Sequence, residues 1–285
     1  MNINLAIAER ARAGEPLSIA EIDELGEADV LSLGMLADEV RRARVGDSVT
    51  FTRVLDLSTM TGAGGATDVE VRIGLLPPSL EEAEGLIAEA RMLAGPQRLT
   101  GFSLADIADR HWGKLADVLK RLKRAGLDAI VEAPIDRLHD AEDALKACAE
   151  AGVPVRCLSL QSPIGSDGRA SWLIHLRDLV QKFPNLDTVN PLSREQSVTA
   201  PTTGYEDVRA VALARLALPT VNNIQVDWAQ YGPKLAQVAL TFGANDLDRV
   251  SPVDDETLGK RRTSVEDVKR NITAAGFTPV DRTRP

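Results

Sequence analysis

The sequence is poor in cysteine, histidine and aromatic residues, and it carries no excess of positive charge. Two cysteines and three histidines occur among the 285 residues. Two cysteines are too few for a disulfide-stabilised scaffold and are typical of a protein from a reducing compartment. The formal net charge of −9 argues against a nucleic-acid partner, because proteins that bind the phosphate backbone usually present a basic surface.

Long hydrophobic runs are also missing. No apolar segment approaches the roughly 18–20 residues that a membrane-spanning helix needs. The first residues, MNINLAIAERARAGE, lack the basic start of a secretion signal. The sequence therefore predicts a cytoplasmic protein that does not bind a membrane. With 44% hydrophobic and 26% charged residues, it also predicts a folded domain with a large core.

Short β-rich segments alternate with amphipathic helical segments along most of the chain. This alternation predicts parallel strands joined by right-handed crossover helices. With eight candidate strands, a closed TIM-type (β/α)8 barrel of the α/β class is favoured over an open doubly wound sheet. The predicted strands are Val49–Leu55, Asp68–Leu75, Gln97–Gly101, Asp128–Ala133, Val153–Leu160, Asp187–Pro191, Asn223–Trp228 and Val238–Gly243. The helices predicted between them are Ser79–Leu93, Leu104–Ala125, Ala141–Ala151, Ser171–Lys182, Tyr205–Leu218 and Pro233–Ala239.

The chain is predicted to form one domain over residues 1–285, with N-terminal helices over 1–47, the barrel over 48–250 and a C-terminal helix and tail over 251–285. The first β/α unit is predicted to be truncated, because only the segment DLSTMTGAGGAT separates the first two strands. A parallel crossover normally needs a dozen residues or more, most of them in a helix. We interpret the segment as a flexible loop, with a phosphate cradle at Gly62, Gly64 and Gly65 as the alternative.

Side-chain alternation predicts which strand residues face the barrel lumen. In the second predicted strand these are Glu70 and Arg72, and in the seventh they include Gln225 and Asp227. Since buried charges are costly unless they are paired, a polar lumen indicates either a ligand chamber or a structural network of ion pairs. Polar residues recur at several strand ends, where barrel enzymes build their sites, and this favours the ligand chamber.

Polar side chains at the strand ends supply the candidate site residues. Glu132 or Asp227 is a candidate general acid or base, and Arg53 or Arg72 is a candidate clamp for a carboxylate. The histidines show no metal-ligand spacing and the cysteines are predicted to be packing residues, so no metal site is expected. The candidate ligand-binding residues are Arg53, Glu70, Arg72, Gln161, Asn190, Gln225, Trp228, Asn245 and Asp246.

Three stretches of the sequence resemble a known family. The segment Gly204–Val250 contains ALARLAL, a strand that ends in Trp228, and GPKLAQVALTFGANDLD. It resembles the C-terminal half of the barrel in one radical S-adenosylmethionine (SAM) subgroup, which contains aminofutalosine synthase, dehypoxanthine futalosine cyclase and the deazaflavin (FO) synthase subunit. Leu33–Val54 and the ending ITAAGFTPVDRT resemble the first strand and closing segment of that family. The resemblance implies a radical SAM barrel and a role in menaquinone biosynthesis by the futalosine pathway.

One departure from this family is clear in the sequence. Members of the subgroup carry CxxxCxxC after the first strand, and its three thiolates hold a [4Fe–4S] cluster that binds SAM. The corresponding region here is LDLSTMTGAGGATDV, which contains no cysteine. Because a cluster needs those sulfurs, we expect no iron–sulfur cluster and no reductive cleavage of SAM. No other cofactor is expected, and binding of SAM without cleavage stays open.

Three interpretations of the function follow. The first is a cluster-less, radical-SAM-like pseudoenzyme that binds a nucleoside-like or aromatic carboxylate ligand, or that pairs with a true radical SAM enzyme of the futalosine pathway. The alternative is a non-radical lyase or hydrolase that uses the barrel cavity on a related pathway intermediate. A structural remnant without a ligand is the third, and the coherent polar strand ends argue against it.

Overall fold

The computed structural model describes residues 3–57, 68–195, 203–252 and 265–282, and the elements below lie in these ranges. The strands are β1 (Ser48–Asp56), β2 (Glu70–Ile73), β3 (Arg98–Ser103), β4 (Ala129–Pro134), β5 (Leu158–Leu160), β6 (Thr188–Ser193), β7 (Asn223–Asp227), β8 (Asp246–Val250) and β9 (Thr278–Asp281). The helices are α1 (Leu5–Ala13), α2 (Ile19–Gly26), α3 (Val30–Val45), α4 (Leu80–Ala94), α5 (Leu104–Asp109), α6 (Leu115–Ala125), α7 (Ala141–Ala151), α8 (Ser166–Lys182), α9 (Gly204–Ala217), α10 (Trp228–Leu240) and α11 (Val265–Ala274).

Strands β1 to β8 close into a barrel of parallel strands. Each strand from β2 to β7 pairs with the next strand along the chain, and β1 completes the ring by pairing with β8 on one edge and with β2 on the other. Val54 lies opposite Glu70 in the β1–β2 contact, and Phe51 lies opposite Leu247 in the β1–β8 contact. The predicted TIM-type barrel is confirmed. The glycine-rich loop predicted after the first strand, residues 58–67, lies outside the described residues.

The hydrophobic core lies between the strands and the helices that surround them. Side chains that alternate with the lumen-facing residues, such as Val71, Val189 and Ile224, are buried in this layer. Crossover helices cover the outer face of a parallel barrel, so its strands are buried on both faces. Polar side chains that point into the lumen therefore need partners inside the barrel. Within the described residues, no helix combines the length and the hydrophobicity needed to cross a membrane.

The three N-terminal helices form a further layer outside the barrel helices. Ser18 caps α2 and exchanges capping-box hydrogen bonds with Glu21, as their spacing predicts. α2 packs on α8, and α3 packs on α9. Arg209 of α9 donates to the backbone carbonyl oxygen of Gly26 at 2.6 Å, which fixes the end of α2 to the barrel. The predicted N-terminal helical extension is confirmed.

A glycine of α3 sets how closely this helix approaches the end of α10. A Cβ atom added at Gly34 would lie 2.6 Å from the Phe242 ring, a separation that real Cβ atoms essentially never show. Gly85 in α4 has open space at the equivalent position. Both glycines lie inside a helix. They differ in that a Cβ atom would meet the Phe242 ring at Gly34 and open space at Gly85.

We expect Gly34→Ala to lower the free energy of unfolding by about 1–3 kcal/mol, because the added methyl group forces the Phe242 ring to move. Gly85→Ala is the matched control, and it should raise the free energy of unfolding by about 0.5–1 kcal/mol because alanine favours the helix. Urea unfolding curves of both variants measure the difference. A gain in stability for Gly34→Ala would contradict the close packing of α3 against Phe242.

Two predicted segments differ from the structure. The eighth strand predicted over Val238–Gly243 is wrong, because these residues complete α10 and the turn after it, and β8 begins only at Asp246. A short apolar run does not distinguish a strand from a buried helix segment. The single helix predicted over Leu104–Ala125 is also wrong. It divides into α5 and α6 around His111, which has a positive φ of 51°.

The described chain ends in a ninth strand that sequence analysis did not predict. β9 pairs in parallel with the first half of β1, from Ser48 opposite Thr278 to Phe51 opposite Asp281. It occupies the edge of β1 that β2 occupies further along. The C-terminal segment therefore closes the amino-terminal end of the barrel between β1 and β2.

Candidate functional site

Charged side chains from several strands meet in the middle of the lumen. Arg72 donates from Nη1 to Asp248 Oδ2 at 2.8 Å and from Nη2 to Glu70 Oε1 at 2.5 Å. Thr100 donates to the same Glu70 oxygen at 2.8 Å, and Arg156 Nε lies 3.6 Å from Glu70 Oε2. Since β1 separates β2 from β8, the Arg72–Asp248 pair crosses the lumen face of β1. The structure thus places Glu70 and Arg72 in the lumen and joins them in a network of ion pairs.

The charges of this network shift the pKa values of its members. Burial alone would raise the pKa of Asp248, but the charge of Arg72 and the hydrogen bonds from its guanidinium group hold that pKa below its ordinary value. Burial alone would lower the pKa of Arg72, and the charges of Asp248 and Glu70 raise it well above the ordinary value. Arg72 and Asp248 are therefore ionised at neutral pH and form a buried ion pair.

A second polar layer lies at the amino-terminal end of the lumen. Gln225 donates to Asp246 Oδ2 at 2.7 Å, and Arg282 donates to the same oxygen at 3.1 Å. Thr50 donates to the other carboxylate oxygen of Asp246. Gln225 and Asp246 are thus occupied by contacts within the protein, and the C-terminal segment takes part through Arg282.

Asn245 and Asp246 lie at the opposite end of the barrel from the one predicted. β8 begins at Asp246, so the prediction that these residues follow the eighth strand is wrong, and the error comes from the misplaced strand. Asn245 Oδ1 accepts hydrogen bonds from the Ile224 N–H at 2.9 Å and from Arg215 Nη2 at 2.5 Å. At this face of a TIM barrel, such contacts usually serve stability.

Arg194, which sequence analysis did not single out, organises the carboxyl-terminal mouth of the barrel. It follows β6 directly, and it donates from Nε to Glu132 Oε2 at 2.6 Å and from Nη1 to Asp227 Oδ2 at 2.9 Å. Arg249 Nη1 lies 3.5 Å from the same Asp227 oxygen. Burial alone would lower the pKa of Arg194, and the charges of Glu132 and Asp227 raise it. The structure therefore brings both candidate catalytic carboxylates to one guanidinium group.

Contacts from α10 hold the backbone at Arg194 in place. Gln230 Nε2 donates to the carbonyl oxygens of Ser193 and Arg194 at 3.0 and 2.9 Å, and the Tyr231 hydroxyl donates to the Ser193 carbonyl oxygen at 2.6 Å. Asp227 Oδ1 caps α10 by accepting from the Gln230 N–H at 2.9 Å. Fixed backbone and side-chain contacts of this kind characterise preorganised binding sites.

The other candidate residues near the strand ends lie apart from this cluster. Arg53 Nε lies 2.8 Å from Asp281 Oδ2, so Arg53 joins β1 to the C-terminal strand. Gln161 follows β5 and donates to Glu195 Oε1 at 2.9 Å. Trp228 begins α10 and is 1% exposed, which places it in the core.

Besides Glu70 Oε2, three neutral polar side chains buried in the barrel have atoms with no hydrogen-bond partner in the described part of the chain. These atoms are Asn190 Nδ2, Ser159 Oγ and Thr52 Oγ1. Leu158 and Val189 are buried on the outer face, so alternation within each strand turns Ser159 of β5 and Asn190 of β6 toward the lumen. A buried polar group left without a partner costs about 1–3 kcal/mol. Each of these atoms is therefore buried with its hydrogen-bonding capacity unused.

The two cysteines are buried on separate elements. Cys148 lies in α7, and Cys157 precedes β5. Burial raises the pKa of the Cys148 thiol to about 12 and also raises that of Cys157. Because an iron–sulfur cluster is held by cysteine thiolates that converge on it, this pair does not fit the cluster of the radical SAM group. No group of three His, Cys, Asp or Glu side chains in the described ranges is placed to hold a metal ion.

We expect neither thiol to react with Ellman's reagent in the folded protein, since a buried thiol with a raised pKa supplies almost no thiolate. Both thiols should react rapidly after unfolding in guanidinium chloride, and the released chromophore counts them. The unfolded sample is the control for reagent and stoichiometry. One rapidly reacting thiol in the folded protein would contradict a packing role for Cys148 or Cys157.

Comparisons with known proteins agree with the resemblance stated above. A family model described as the CofH/MqnC C-terminal region matches residues 179–285. The chain is 31% identical over 259 residues to the 5-amino-6-(D-ribitylamino)uracil–L-tyrosine 4-hydroxyphenyl transferase of Methanopyrus kandleri, covering 77% of this chain and 69% of that protein. It is 26% identical over 318 residues to the enzyme of the same name from Methanothermobacter thermautotrophicus, covering 97% of this chain and 86% of that protein.

A solved structure supports the same architecture. Methylornithine synthase (PylB) superposes with a TM-score of 0.68 at 14% identity, covering 97% of this chain and 98% of that chain. At such low identity the likeness shows the barrel fold alone. The match to the Methanopyrus kandleri protein is what shows the family. The chain belongs to the CofH-type family of the radical SAM group, whose curated relatives here are named 5-amino-6-(D-ribitylamino)uracil–L-tyrosine 4-hydroxyphenyl transferases.

Proposed function

We propose that this chain is a cluster-less member of its family that binds a small ligand in the carboxyl-terminal half of the barrel without cleaving SAM. One observation carries the proposal: the sequence has two cysteines, whereas the family's cluster motif needs three. Both lie in or before elements far along the chain from β1, and the segment after β1 contains none. The radical step of the family therefore has no metal centre here.

The ligand class follows from the family and from the groups in the lumen. The enzyme name of the relatives joins an aromatic amino acid, L-tyrosine, with 5-amino-6-(D-ribitylamino)uracil, a pyrimidine that carries a sugar alcohol. These compounds represent the aromatic carboxylate and the nucleoside-like ligand expected from the sequence. Asn190 and Ser159 offer unused polar atoms to such a ligand. We therefore propose these two compounds as ligands in preference to the futalosine-type nucleosides. A role of this chain in menaquinone biosynthesis stays a prediction.

The alternative of a lyase or hydrolase receives less support from the site. Glu132 and Asp227 were its candidate acid and base, and each accepts a hydrogen bond from Arg194. These contacts engage Glu132 Oε2 and Asp227 Oδ2 with one guanidinium group, so both carboxylates position Arg194. The ion pairs of Glu132 and Asp227 with Arg194 suit a site that holds an arginine ready to bind a ligand. They suit general acid catalysis less well.

Native mass spectrometry of the purified protein tests the proposal. L-tyrosine, 5-amino-6-(D-ribitylamino)uracil, futalosine and SAM are added separately, and we expect a one-to-one complex with at least one of the first two. Asn190→Leu should weaken that complex, because it removes an unused donor from the lumen. Asn271→Leu, on α11, is the matched control and should not change binding.

A protein indifferent to the whole panel would overturn ligand binding. Capture by a true radical SAM enzyme would then become the supported function, as a partner protein. Binding of futalosine alone would return the chain to the menaquinone pathway and overturn the preference for tyrosine and ribitylaminouracil.

A further inference from the structure

We propose that Arg194 and Arg249 form a carboxylate-binding subsite at the mouth of the barrel. The subsite deepens the proposed function and rests on it, since it requires that the mouth receives a ligand. It also differs from the clamp expected from the sequence, because Arg53 and Arg72 are both committed to carboxylates of the protein.

The first reason is the supply of unused donors. Arg194 uses Nε for Glu132 and Nη1 for Asp227, and its Nη2 makes no hydrogen bond in the described part of the chain. Arg249 has an ion pair with Asp227 at 3.5 Å and no hydrogen bond from its guanidinium group there. A guanidinium group carries five N–H donors, so both arginines retain N–H groups for a ligand.

The second reason is convergence. Arg194 Nη1 and Arg249 Nη1 meet at the same oxygen of Asp227, at 2.9 and 3.5 Å. The Arg194 side chain is 13% exposed and the Arg249 side chain is 45% exposed. One guanidinium group thus lies inside the mouth and the other at its rim. A ligand carboxylate would accept from the N–H groups of the buried and of the accessible arginine that Asp227 leaves unused.

The third reason is that the backbone at both arginines is constrained before any ligand arrives. Gln230 and Tyr231 fix the backbone around Arg194. Arg249 has a positive φ of 56°, a left-handed conformation that is uncommon for residues other than glycine. Strained backbone of this kind concentrates at functional sites. Here it lies in β8, next to the carboxyl end of the strand.

Charge decides between a carboxylate and a phosphate. The two arginines are balanced by Glu132 and Asp227, so the cluster is formally neutral without a ligand. A carboxylate adds one negative charge beside two guanidinium groups, and their planar edges match its two oxygens. A phosphate dianion would add twice that charge next to two carboxylates. The cluster therefore favours the monoanion.

Calorimetric titration with L-tyrosine and L-tyrosinamide tests the subsite, because the two probes differ in the carboxylate. We expect the wild-type protein to bind L-tyrosine at least tenfold more tightly, since charge-assisted hydrogen bonds are worth about that factor or more. Arg249→Gln should weaken L-tyrosine about tenfold and leave L-tyrosinamide within about twofold, and Arg249→Lys should recover part of the loss. Arg12→Gln is the matched control, because Arg12 is also paired and is 42% exposed.

Equal affinity for the two probes would overturn the subsite and leave ligand binding intact. The same holds if Arg249→Gln weakens both probes equally. If neither probe binds, the subsite is overturned, and the proposed function then depends on whether 5-amino-6-(D-ribitylamino)uracil forms a complex in the mass spectrometry experiment. The two proposals therefore fail in distinguishable ways.

Discussion

Replacing Arg72 with methionine is expected to lower the free energy of unfolding by about 3–5 kcal/mol, because it leaves buried Asp248 without its ion-pair partner and leaves Glu70 with only the more distant Arg156. Glu70 and Asp248 have side chains that are 1% and 7% exposed. Urea unfolding at neutral pH, followed by circular dichroism, measures the loss. Arg12→Met is the matched control, because the exposed Arg12–Glu39 pair should contribute less than about 1 kcal/mol.

The effect of Arg72→Met should depend on pH. Arg72 holds the folded-state pKa of Asp248 below the unfolded value, so the ion pair stabilises the fold above the unfolded pKa of about 4. That contribution is lost as pH falls through the lower folded-state pKa. The difference in stability between wild type and Arg72→Met should therefore shrink in acid.

The size of the loss also decides between the two interpretations of the polar lumen. A loss below about 1 kcal/mol would mean that water reaches Glu70 and Asp248 freely, and that the middle of the barrel is an open chamber. A loss of several kcal/mol supports a closed network in the middle of the lumen, which leaves the carboxyl-terminal half for a ligand.

Arg215→Met is expected to lower the free energy of unfolding by about 3–5 kcal/mol, because several buried acceptors lose their donor together. Arg215 is fully buried and donates to the Gly243, Val221 and Asn222 carbonyl oxygens and to Asn245 Oδ1. Burial, together with the neighbouring Arg44 and Arg41 charges, lowers its pKa to about 9, so it remains charged at neutral pH. Thermal and urea unfolding measure the loss.

Arg209→Met provides the control on the same helix. Arg209 donates to the Gly26 and Ala28 carbonyl oxygens, but its side chain is 18% exposed, so water can replace its hydrogen bonds. We expect a loss of about 1 kcal/mol. Equal losses for the two variants would contradict the view that Arg215 joins α9 to the starts of β7 and β8. This role also gives a physical reason for the ARL sequence in the segment that resembles the family.

The barrel could be predicted because its signals are local. Alternation within a strand placed Glu70 and Arg72 on the lumen side, and the structure brings them together with Asp248 across β1. Ser18 and Ser79 each precede a glutamate by three residues, a spacing typical of a helix start, and both form side-chain caps. These signals lie within a few residues of the element they define.

The eighth strand failed because its signal was ambiguous. The residues Val238–Gly243 are mostly apolar and suit a helix end as well as a strand, and a strand at this position predicts that the polar GAND segment lies at its carboxyl end. In the structure Asn245 precedes β8 and Asp246 begins it. Both residues therefore lie at the amino-terminal end of the barrel and not at the predicted carboxyl-terminal end. A misplaced strand therefore reverses the functional interpretation of its neighbours.

Arg194 could not be found from the sequence for a different reason. Its carboxylate partners, Glu132 and Asp227, lie 62 and 33 residues away, and no spacing rule links them. β9 could not be predicted for the same reason, because its partner β1 is separated from it by almost the whole length of the chain. Contacts of this kind depend on closure of the barrel and become visible only in three dimensions.

Anaerobic incubation of the purified protein with ferrous iron, sulfide and a reductant, followed by iron analysis, electron paramagnetic resonance and a SAM cleavage assay, tests the absence of a cluster most directly. A family member that carries the three cysteines is treated in parallel as the positive control. We expect iron well below one cluster per chain, no signal of a reduced cluster and no 5′-deoxyadenosine. A stoichiometric [4Fe–4S] signal with formation of 5′-deoxyadenosine would contradict a cluster-less function.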